Sequence, residues 1–192
     1  MAQQAQAGAT ADRILDVAER LAQSRGFNGF SYADVADELD LTKAALHYHF
    51  AGKAELGIAL ITRYAQRFMG ALATIDALDD PRAELQAYAQ LYLSVLDDRR
   101  MCLCGMLAAE YQTLPEPMQH AVVAFFDANE RWLAEVLDNG RTTETLTFAG
   151  TSQATARMIV GGLEGAMLVA RLHQDPNRFK ASADQLLDSL TT

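Results

Sequence analysis

The segment from Phe30 to Leu56 constrains the fold more than any other part of the chain. Its apolar residues recur at the spacing of two short helices joined by a tight turn. Ser31 stands where it can cap the first helix, with Asp34 three residues later, and Thr42 stands at the start of the second. The pattern predicts a helix-turn-helix hairpin over about residues 31–50.

The second predicted helix carries side chains that suit contact with DNA. Small residues near its start, Ala44 and Ala45, let the backbone approach a surface closely. Hydroxyl, ammonium, imidazole and phenol groups on the same helix can bond to phosphates and base edges, as a recognition helix in a major groove requires. The alternative is a plain helical hairpin whose His and Tyr side chains fill surface or core. Leu46 and Phe50 are expected to pack between helices rather than touch DNA.

The charge distribution is compatible with a specific DNA binder and not with a general one. The formal net charge is −9, whereas a general nucleic-acid binder is basic. Between Leu41 and Ala54 there is no acidic residue, while Lys43 and Lys53 both lie there. This window predicts a phosphate-facing patch on an acidic body, which discourages non-specific association with DNA.

The rest of the chain predicts more helices. Glycine and proline are sparse, and no alternating strand pattern stands out, so the expected fold is all-α with about nine helices. The division expected is a flexible tail at 1–9, a helix-turn-helix DNA-binding domain at 10–56, and a larger ligand-binding and dimerisation domain at 57–192. Local signals set the expected helix ends: Thr10 as an N-cap, Gly26 as a left-handed terminator, Pro81 in a first turn, and a break at Asp138-Asn139-Gly140. The helices expected in the body cover about 54–77, 81–97, 101–112, 115–138, 151–173 and 176–190.

Two cysteines lie in one short apolar run. Cys102 and Cys104 follow Arg99 and Arg100, and a helix is expected to begin there. Cations and a helix N-terminus favour a reactive thiolate, which would react with electrophiles or oxidants at the mouth of a ligand pocket. The alternative is that both cysteines are small buried hydrophobes, the commonest fate of a free cysteine. A spacing of one residue is poor for a structural disulfide, which makes a reducing cytoplasm the expected location.

The segment around Glu164 predicts close packing. A carboxylate among apolar residues is either a pocket contact or an interface residue paired across a dimer. Gly161, Gly162, Gly165 and Ala166 make one helix face small enough for a close helix crossing. We expect this face to form a homodimer interface, with packing inside one chain as the alternative.

Other classes of site have no counterpart in the sequence. The histidines His47, His49, His120 and His173 form no metal-ligand spacing, and no Gly-rich phosphate loop occurs. No Ser, His and acid set indicates a catalytic triad. No apolar stretch is long enough to span a bilayer, and the N-terminus has no signal-peptide pattern. We therefore expect no metal, no cofactor and no membrane partner.

The amino-terminal part resembles the DNA-binding domain of TetR-family repressors over about residues 10–56. The resemblance is carried by Gly26-Phe27, Ser31, Val35-Ala36, Leu41-Thr42-Lys43, Leu46-His47-Tyr48-His49-Phe50 and Lys53-Ala54-Glu55-Leu56. The family usually has tyrosine where this chain has His47. The resemblance implies DNA contacts by Thr42, Lys43, Ala45, His47, Tyr48, His49 and Lys53. Ser31 is also expected to contact DNA.

The body is similar to the electrophile- and quinone-responsive branch of that family. The similarity is carried by Cys102-Leu103, Ala109-Glu110, Leu137-Asp138-Asn139-Gly140-Arg141 and Leu146-Thr147-Phe148. A lysine implicated in the thiol chemistry of that branch falls on Arg171 here, and an arginine is a poor nucleophile. The residues expected to bind or sense an effector are Cys102, Tyr92, Met106, Glu110, Trp132, Glu164 and Met167.

The expected function is a ligand-responsive transcriptional regulator, a repressor by resemblance. It would bind a palindromic operator as a dimer and be released by a small molecule or electrophile. Two other classes stay open: an architectural DNA-binding protein without an effector, and an all-helical enzyme, which would need a catalytic constellation.

Overall fold

The computed structural model describes residues 2–190, with side chains from Gln6 onward. Over these residues the chain forms nine α-helices and no strand, which confirms the predicted all-α fold. The helices are α1 (Ala2–Arg25), α2 (Tyr32–Leu39), α3 (Lys43–His49), α4 (Lys53–Ile75), α5 (Pro81–Asp97), α6 (Leu103–Ala109), α7 (Glu116–Thr142), α8 (Ser152–Leu172) and α9 (Pro176–Asp188). Short 3₁₀ turns follow α4 at Asp76–Leu78 and α6 at Tyr111–Thr113.

The chain divides into two compact units. The first unit contains the chain up to Ala65 together with Leu103–Val123, and the second contains Gln66–Cys102 and the chain from Ala124 onward. The first unit therefore takes in α6, which the sequence-based division assigned to the body. Cys102 is the last residue of one stretch, and Leu103, the first residue of α6, begins the next.

Several helix ends form as their local sequences predict. Ser31 and Asp34 make the expected capping box at α2, and the Thr42 hydroxyl accepts a hydrogen bond from the Ala45 N–H at the start of α3. Pro81 occupies the first turn of α5 after the capping Asp80. Gly26 has φ +86° and ends α1. These four predictions are confirmed.

Two predicted helix ends are wrong. Thr10 lies inside α1, where its hydroxyl donates to the carbonyl O of Gln6, so it caps nothing. Residues 2–9, predicted as a flexible tail, belong to the same helix, and Met1 lies outside the described residues. The predicted break at Gly140 is also wrong, because α7 continues to Thr142. Gly140 is buried there, and an added Cβ would lie 2.3 Å from Leu146 Cδ1. Its small size therefore lets the following loop pack on the helix.

The core of the first unit lies between α1, α2, α3 and α4. Ile14, Val35, Leu46 and Leu56 are completely buried. An aromatic cluster lies in the second unit, with ring centroids 5.3–6.5 Å apart in the contacting pairs, and comprises Phe68, Tyr88, Tyr92, Phe125, Trp132 and Phe179. Such pairs stabilise a core beyond the area they bury. No helix in the described part of the chain is long and apolar enough to cross a membrane.

Candidate nucleic-acid interface and effector site

The helix α3 is held on its inner side and open on its outer side. Leu46 is fully buried, whereas the Tyr48 side chain is 81% exposed. The Tyr32 hydroxyl of α2 donates to the Phe50 carbonyl O at 3.0 Å, which fixes the end of α3 against α2. Burial of Tyr32 raises the pKa of its phenol to about 12, so the hydroxyl keeps the proton that this bond needs. The outer surface of α3 is thus presented by a rigid support.

His47 is exposed but fixed in orientation. Its Nδ1 lies 2.9 Å from the carbonyl O of Ala51, and its ring centroid lies 4.8 Å from that of Tyr32. A carbonyl oxygen can only accept, so Nδ1 carries a proton and Nε2 is left to accept in the neutral ring. The departure from the usual tyrosine therefore places an acceptor nitrogen at this position of α3.

The other predicted DNA contacts fall into two groups. Ser31, Thr42, Lys43, and Tyr48 are exposed, whereas Ala45 and His49 are half-buried. The Ser31 hydroxyl donates to Asp34 Oδ2 at 2.6 Å, and that proton is committed to the capping box. The Thr42 hydroxyl accepts from the Ala45 N–H, which leaves its own proton free to be donated.

Lys53 contacts the backbone of the turn between α1 and α2. Its ammonium donates to the carbonyl oxygens of Phe27 and Phe30 and lies 4.6 and 4.4 Å from the centroids of their rings. Burial lowers the pKa of Lys53, while the charges of Glu110 and Asp34 raise it. The cation is directed at the turn between α1 and α2 and supports it, while the expected phosphate contact of Lys53 stays a prediction. Sequence spacing alone could not show this, since the accepting carbonyls lie 23 and 26 residues away.

Glu110 contacts the same turn as Lys53. Its carboxylate accepts from the backbone N–H groups of Phe27 at 2.6 Å and Asn28 at 3.2 Å, within the first unit. The carboxylate is therefore committed to the α1–α2 turn in this structure, while its expected contact with an effector stays a prediction. Met106, the other expected effector residue in α6, is half-buried.

The second unit contains a cluster of three side chains: the buried Cys102 and Met167 and the half-buried Glu164. The Cys102 thiol, 2% exposed, hydrogen-bonds to the Glu164 carboxyl, and the Cys102 backbone N–H donates to Met167 Sδ at 3.3 Å. Burial raises the pKa of Glu164 to about 7, and the hydrogen bond from Cys102 lowers it. Glu164 Oε1 is buried and has no hydrogen-bond partner among the described residues. A carboxyl that exchanges its proton near neutral pH therefore lies against a thiol.

A chain of hydroxyl groups lies in the same unit. The Tyr88 hydroxyl donates to Asn129 Oδ1 at 3.1 Å, so the Tyr92 hydroxyl, 3.1 Å from it, donates to Tyr88. Burial raises the pKa of both tyrosines, and the charges of Cys102 and Glu164 raise it further. The predicted effector residue Trp132 stacks on Tyr88 with 5.5 Å between ring centroids. The structure therefore brings five predicted effector residues into the second unit: Tyr92, Cys102, Trp132, Glu164 and Met167.

The cations expected to activate Cys102 are engaged elsewhere or exposed. The Arg100 guanidinium pairs with the Asp98 carboxylate, and Arg99 is exposed. Arg99 and Arg171 both line a pocket of about 530 Å³ at the C-terminal ends of α5 and α8. The group observed on the thiol is instead the Glu164 carboxyl, which the sequence did not identify as its partner.

One face of α8 is apolar, small and exposed. An added Cβ at Gly161 or Gly165 would meet nothing within 4 Å, whereas one at Gly162 would lie 3.0 Å from Leu186 Cδ2 of α9. Ala166 is half-buried. The same helix exposes four large apolar side chains: Met158, Leu168, Val169 and Leu172, each 49–78% accessible.

The described residues contain no group of three or more His, Cys, Asp or Glu that could hold a metal ion.

Comparison with known proteins gives matches to both parts of the chain. The family model described as "Bacterial regulatory proteins, tetR family" matches residues 14–60, and "Tetracyclin repressor-like, C-terminal domain" matches residues 81–186. The HTH-type transcriptional repressor NemR of Escherichia coli K12 is 27% identical over 170 residues, which cover 85% of this chain and 84% of that protein.

Solved structures of similar fold match this chain over nearly its whole length. A TetR-family transcriptional regulator from Agrobacterium tumefaciens has a TM-score of 0.94 at 33% identity, over 97% of this chain and 100% of the other. The reduced form of E. coli NemR has a TM-score of 0.81 at 24% identity, over 95% and 98% of the two chains, and this likeness concerns the fold alone.

Proposed function

Because this chain belongs to the TetR family of bacterial transcription regulators, we propose that it represses transcription from a palindromic operator and is released by an electrophilic effector. Regulators of this family bind operator DNA as dimers and respond to effector ligands. The chain thus acts by binding rather than by catalysis, in the cytoplasm where the operator DNA lies.

The observation that carries the DNA-binding proposal is that α3 is buried on one side and exposed on the other. Its buried Leu46 and the bond from Tyr32 to Phe50 hold it in place, while Lys43, His47 and Tyr48 remain exposed. A preorganised helix loses little conformational freedom on binding. Lys43 and the Thr42 hydroxyl donate to phosphates. The Tyr48 hydroxyl and His47 Nε2 can form hydrogen bonds with bases or phosphates.

The exposed α8 face supports a dimer. Gly161 and Gly165 offer backbone to a second copy at close range, and the flanking Leu168 and Leu172 would lose their exposure to water. Exposed apolar stripes of this kind mark protein interfaces. A two-fold dimer places two copies of α3 on successive turns of a palindromic duplex. Gly162 differs, since its contact with Leu186 assigns it to packing between α8 and α9.

The Cys102 cluster supports an electrophilic effector. In the reaction with an α,β-unsaturated carbonyl, the Glu164 carboxylate accepts the thiol proton and the sulfur forms a bond to the β-carbon. The C=C π electrons move toward the carbonyl oxygen, and the resulting enolate takes a proton, so no oxidant is needed. The adduct adds volume at a residue that is 2% exposed, directly before the first residue of α6. A close-packed interior responds to such added volume by shifting.

The test of operator binding is a selection of duplexes from a random pool by the wild-type protein. We expect an enriched palindrome that binds with a steep salt dependence. Tyr48→Ala should weaken binding to this duplex about tenfold, while Lys180→Ala, an exposed cation on α9, should leave it unchanged. Equal enrichment of all sequences would favour the architectural alternative.

A further inference from the structure

We infer that Glu110 is the positioning residue through which α6 sets the affinity of the α2–α3 hairpin for operator DNA. The inference deepens the proposed function and rests on it. Glu110 follows the last residue of α6, and its carboxylate holds the turn between α1 and α2. The α1–α2 turn, defined as residues 26–30, leads directly into the Ser31 cap of α2.

The contact is a charged one with two donors. Glu110 Oε2 accepts from the Phe27 N–H at 2.6 Å, and Oε1 accepts from the Asn28 N–H at 3.2 Å. Bonds from amides to a carboxylate are shorter and roughly twice as strong as neutral ones. A second bond runs beside it, since Asn28 Nδ2 donates to Thr113 Oγ1 at 2.7 Å. Glu110 and Thr113 thus connect the chain after α6 to the α1–α2 turn at two consecutive residues.

The α1–α2 turn is shaped to receive this carboxylate. Gly26 has φ +86°, a conformation that directs successive N–H groups toward one anion. A Cβ at Gly26 would lie 2.7 Å from Glu110 Oε1, so no other residue allows this approach without a shift. Glycine is therefore required at this position both for the backbone conformation and for the space that the carboxylate occupies.

The carbonyl groups of the same turn are held from another direction. Lys53, the first residue of α4, donates to the carbonyl oxygens of Phe27 and Phe30. The opposite charges of Lys53 and Glu110 attract each other through the turn, as the effect of Glu110 on the pKa of Lys53 shows. The turn is therefore fixed by one anion on its N–H groups and one cation on its carbonyls. A displacement of α6 moves the anion and with it the entry to α2.

If Glu110 is a positioning residue, α6 and the DNA must affect each other, whereas a residue that only stabilises the fold requires no such coupling. If the position of α6 alters affinity for DNA, DNA must stabilise one position of α6 by the same free energy. The experiment compares wild type with Glu110→Ala and Glu110→Gln, and uses Glu116→Gln, an exposed carboxylate at the start of α7, as the matched control. The DNA probe is the palindromic duplex enriched by wild-type protein. Amide hydrogen exchange is followed over residues 103–110 and 26–31, with and without the duplex.

For wild type and Glu116→Gln we expect the duplex to slow exchange in both segments. For Glu110→Ala we expect slowing at 26–31 only, and about tenfold weaker binding to the duplex. Glu110→Gln keeps one carbonyl oxygen as acceptor for Phe27 and should restore part of both effects. Slowing at 103–110 in Glu110→Ala equal to that of wild type would overturn the inference.

A DNA-free measurement separates this inference from the proposed function. If wild type enriches no duplex, the proposed function fails, and exchange of the Phe27 and Asn28 amides still tests Glu110. Faster exchange at these amides in Glu110→Ala than at the other slowly exchanging amides of the first unit supports the positioning role. Exchange at the wild-type rate, or an equal acceleration at all amides of the first unit, overturns it.

Discussion

The Lys53 ammonium lies between the rings of Phe27 and Phe30 and donates to the backbone carbonyl of each. Lys53→Met keeps the aliphatic part of the side chain and removes the cation. Hydrogen bonds from a charged group contribute about 1.5–3 kcal/mol, so we expect stability to fall by about 2 kcal/mol. Urea unfolding, followed by circular dichroism, measures this change.

Lys43 provides the matched comparison, since it is an exposed lysine on α3. Lys43→Met should leave the urea midpoint nearly unchanged and reduce the salt dependence of operator binding by about one phosphate contact. Lys53→Met should change the salt dependence much less than the stability. If Lys53→Met keeps the stability of wild type but shows a weaker salt dependence of operator binding, Lys53 contacts a phosphate and does not stabilise the turn.

Glu164 makes stability depend on pH in the direction opposite to a paired carboxylate. Burial raises its pKa to about 7, above the value of an unfolded chain, so the native state binds the proton more tightly than the unfolded state. Its contribution is then favourable below the unfolded pKa and is lost as pH rises to about 7. We expect Glu164→Gln to become more stable relative to wild type across this interval, by up to about 3 kcal/mol.

The measurement is the difference in unfolding free energy between wild type and Glu164→Gln from pH 4.5, the ordinary pKa of a glutamate, to pH 8, about one unit above the raised pKa of Glu164. The difference cancels the titration of other carboxylates that are common to both proteins. Asp184→Asn, which removes an exposed carboxylate on α9, is measured in parallel as the control. A flat difference for Glu164→Gln would show that its carboxyl is solvated.

The features that the sequence predicted correctly depend on near neighbours. Ser31 finds its partner Asp34 three residues away, Thr42 finds Ala45, and Pro81 needs only its place in a first turn. The apolar period of α3 likewise predicted that Leu46 is buried. Local chemistry decides these features, and the linear sequence contains it.

The features that the sequence did not predict depend on partners that are distant along the chain. Glu110 meets Phe27 across 83 residues, and Lys53 meets the same residue across 26. The sequence placed Lys53 in a phosphate-facing patch and Glu110 at an effector site, whereas the folded chain pairs both with the α1–α2 turn. Gly140 was interpreted as a helix break. The reason for a glycine there is its close contact with the Leu146 side chain, and this contact forms only when the following loop folds back onto α7. A charged side chain in a motif therefore identifies a chemical capacity, whereas its partner is set by the fold.

The α8 face is tested by adding volume where one chain has room for it. Gly165→Leu should be tolerated within a protomer, because an added Cβ meets nothing within 4 Å, and leucine favours helix over glycine by about 0.8 kcal/mol. In a close crossing of two copies the same side chain has no space. We expect sedimentation to show a folded monomer or a dimer weakened at least about tenfold.

Gly70→Leu is the matched control. Gly70 also lies within a long helix, and its Cβ would likewise meet nothing within 4 Å. This variant should keep the oligomeric state of wild type. If both variants sediment as wild type does, the Gly165 face takes no part in dimerisation.

Cys102 is expected to react with electrophiles by a route that depends on Glu164. Because the Glu164 carboxylate takes the thiol proton, the rate of alkylation should rise with pH through about 7, the pKa to which burial raises that carboxyl. Brief treatment with N-ethylmaleimide followed by peptide mass spectrometry measures the rate. Operator binding, followed in parallel, should fall in step with the adduct.

Three variants separate this route from simple exposure of a thiol. Cys104 is also reduced and is completely buried, so Cys104→Ser should react and release DNA as wild type does. Glu164→Gln should react at least about tenfold more slowly at neutral pH, because an amide cannot accept the proton. Cys102→Ser should keep operator binding after treatment. If Cys102→Ser still loses the operator, or if wild-type Cys102 stays unmodified, an uncharged ligand that binds near Tyr92 and Trp132 becomes the better account of the effector.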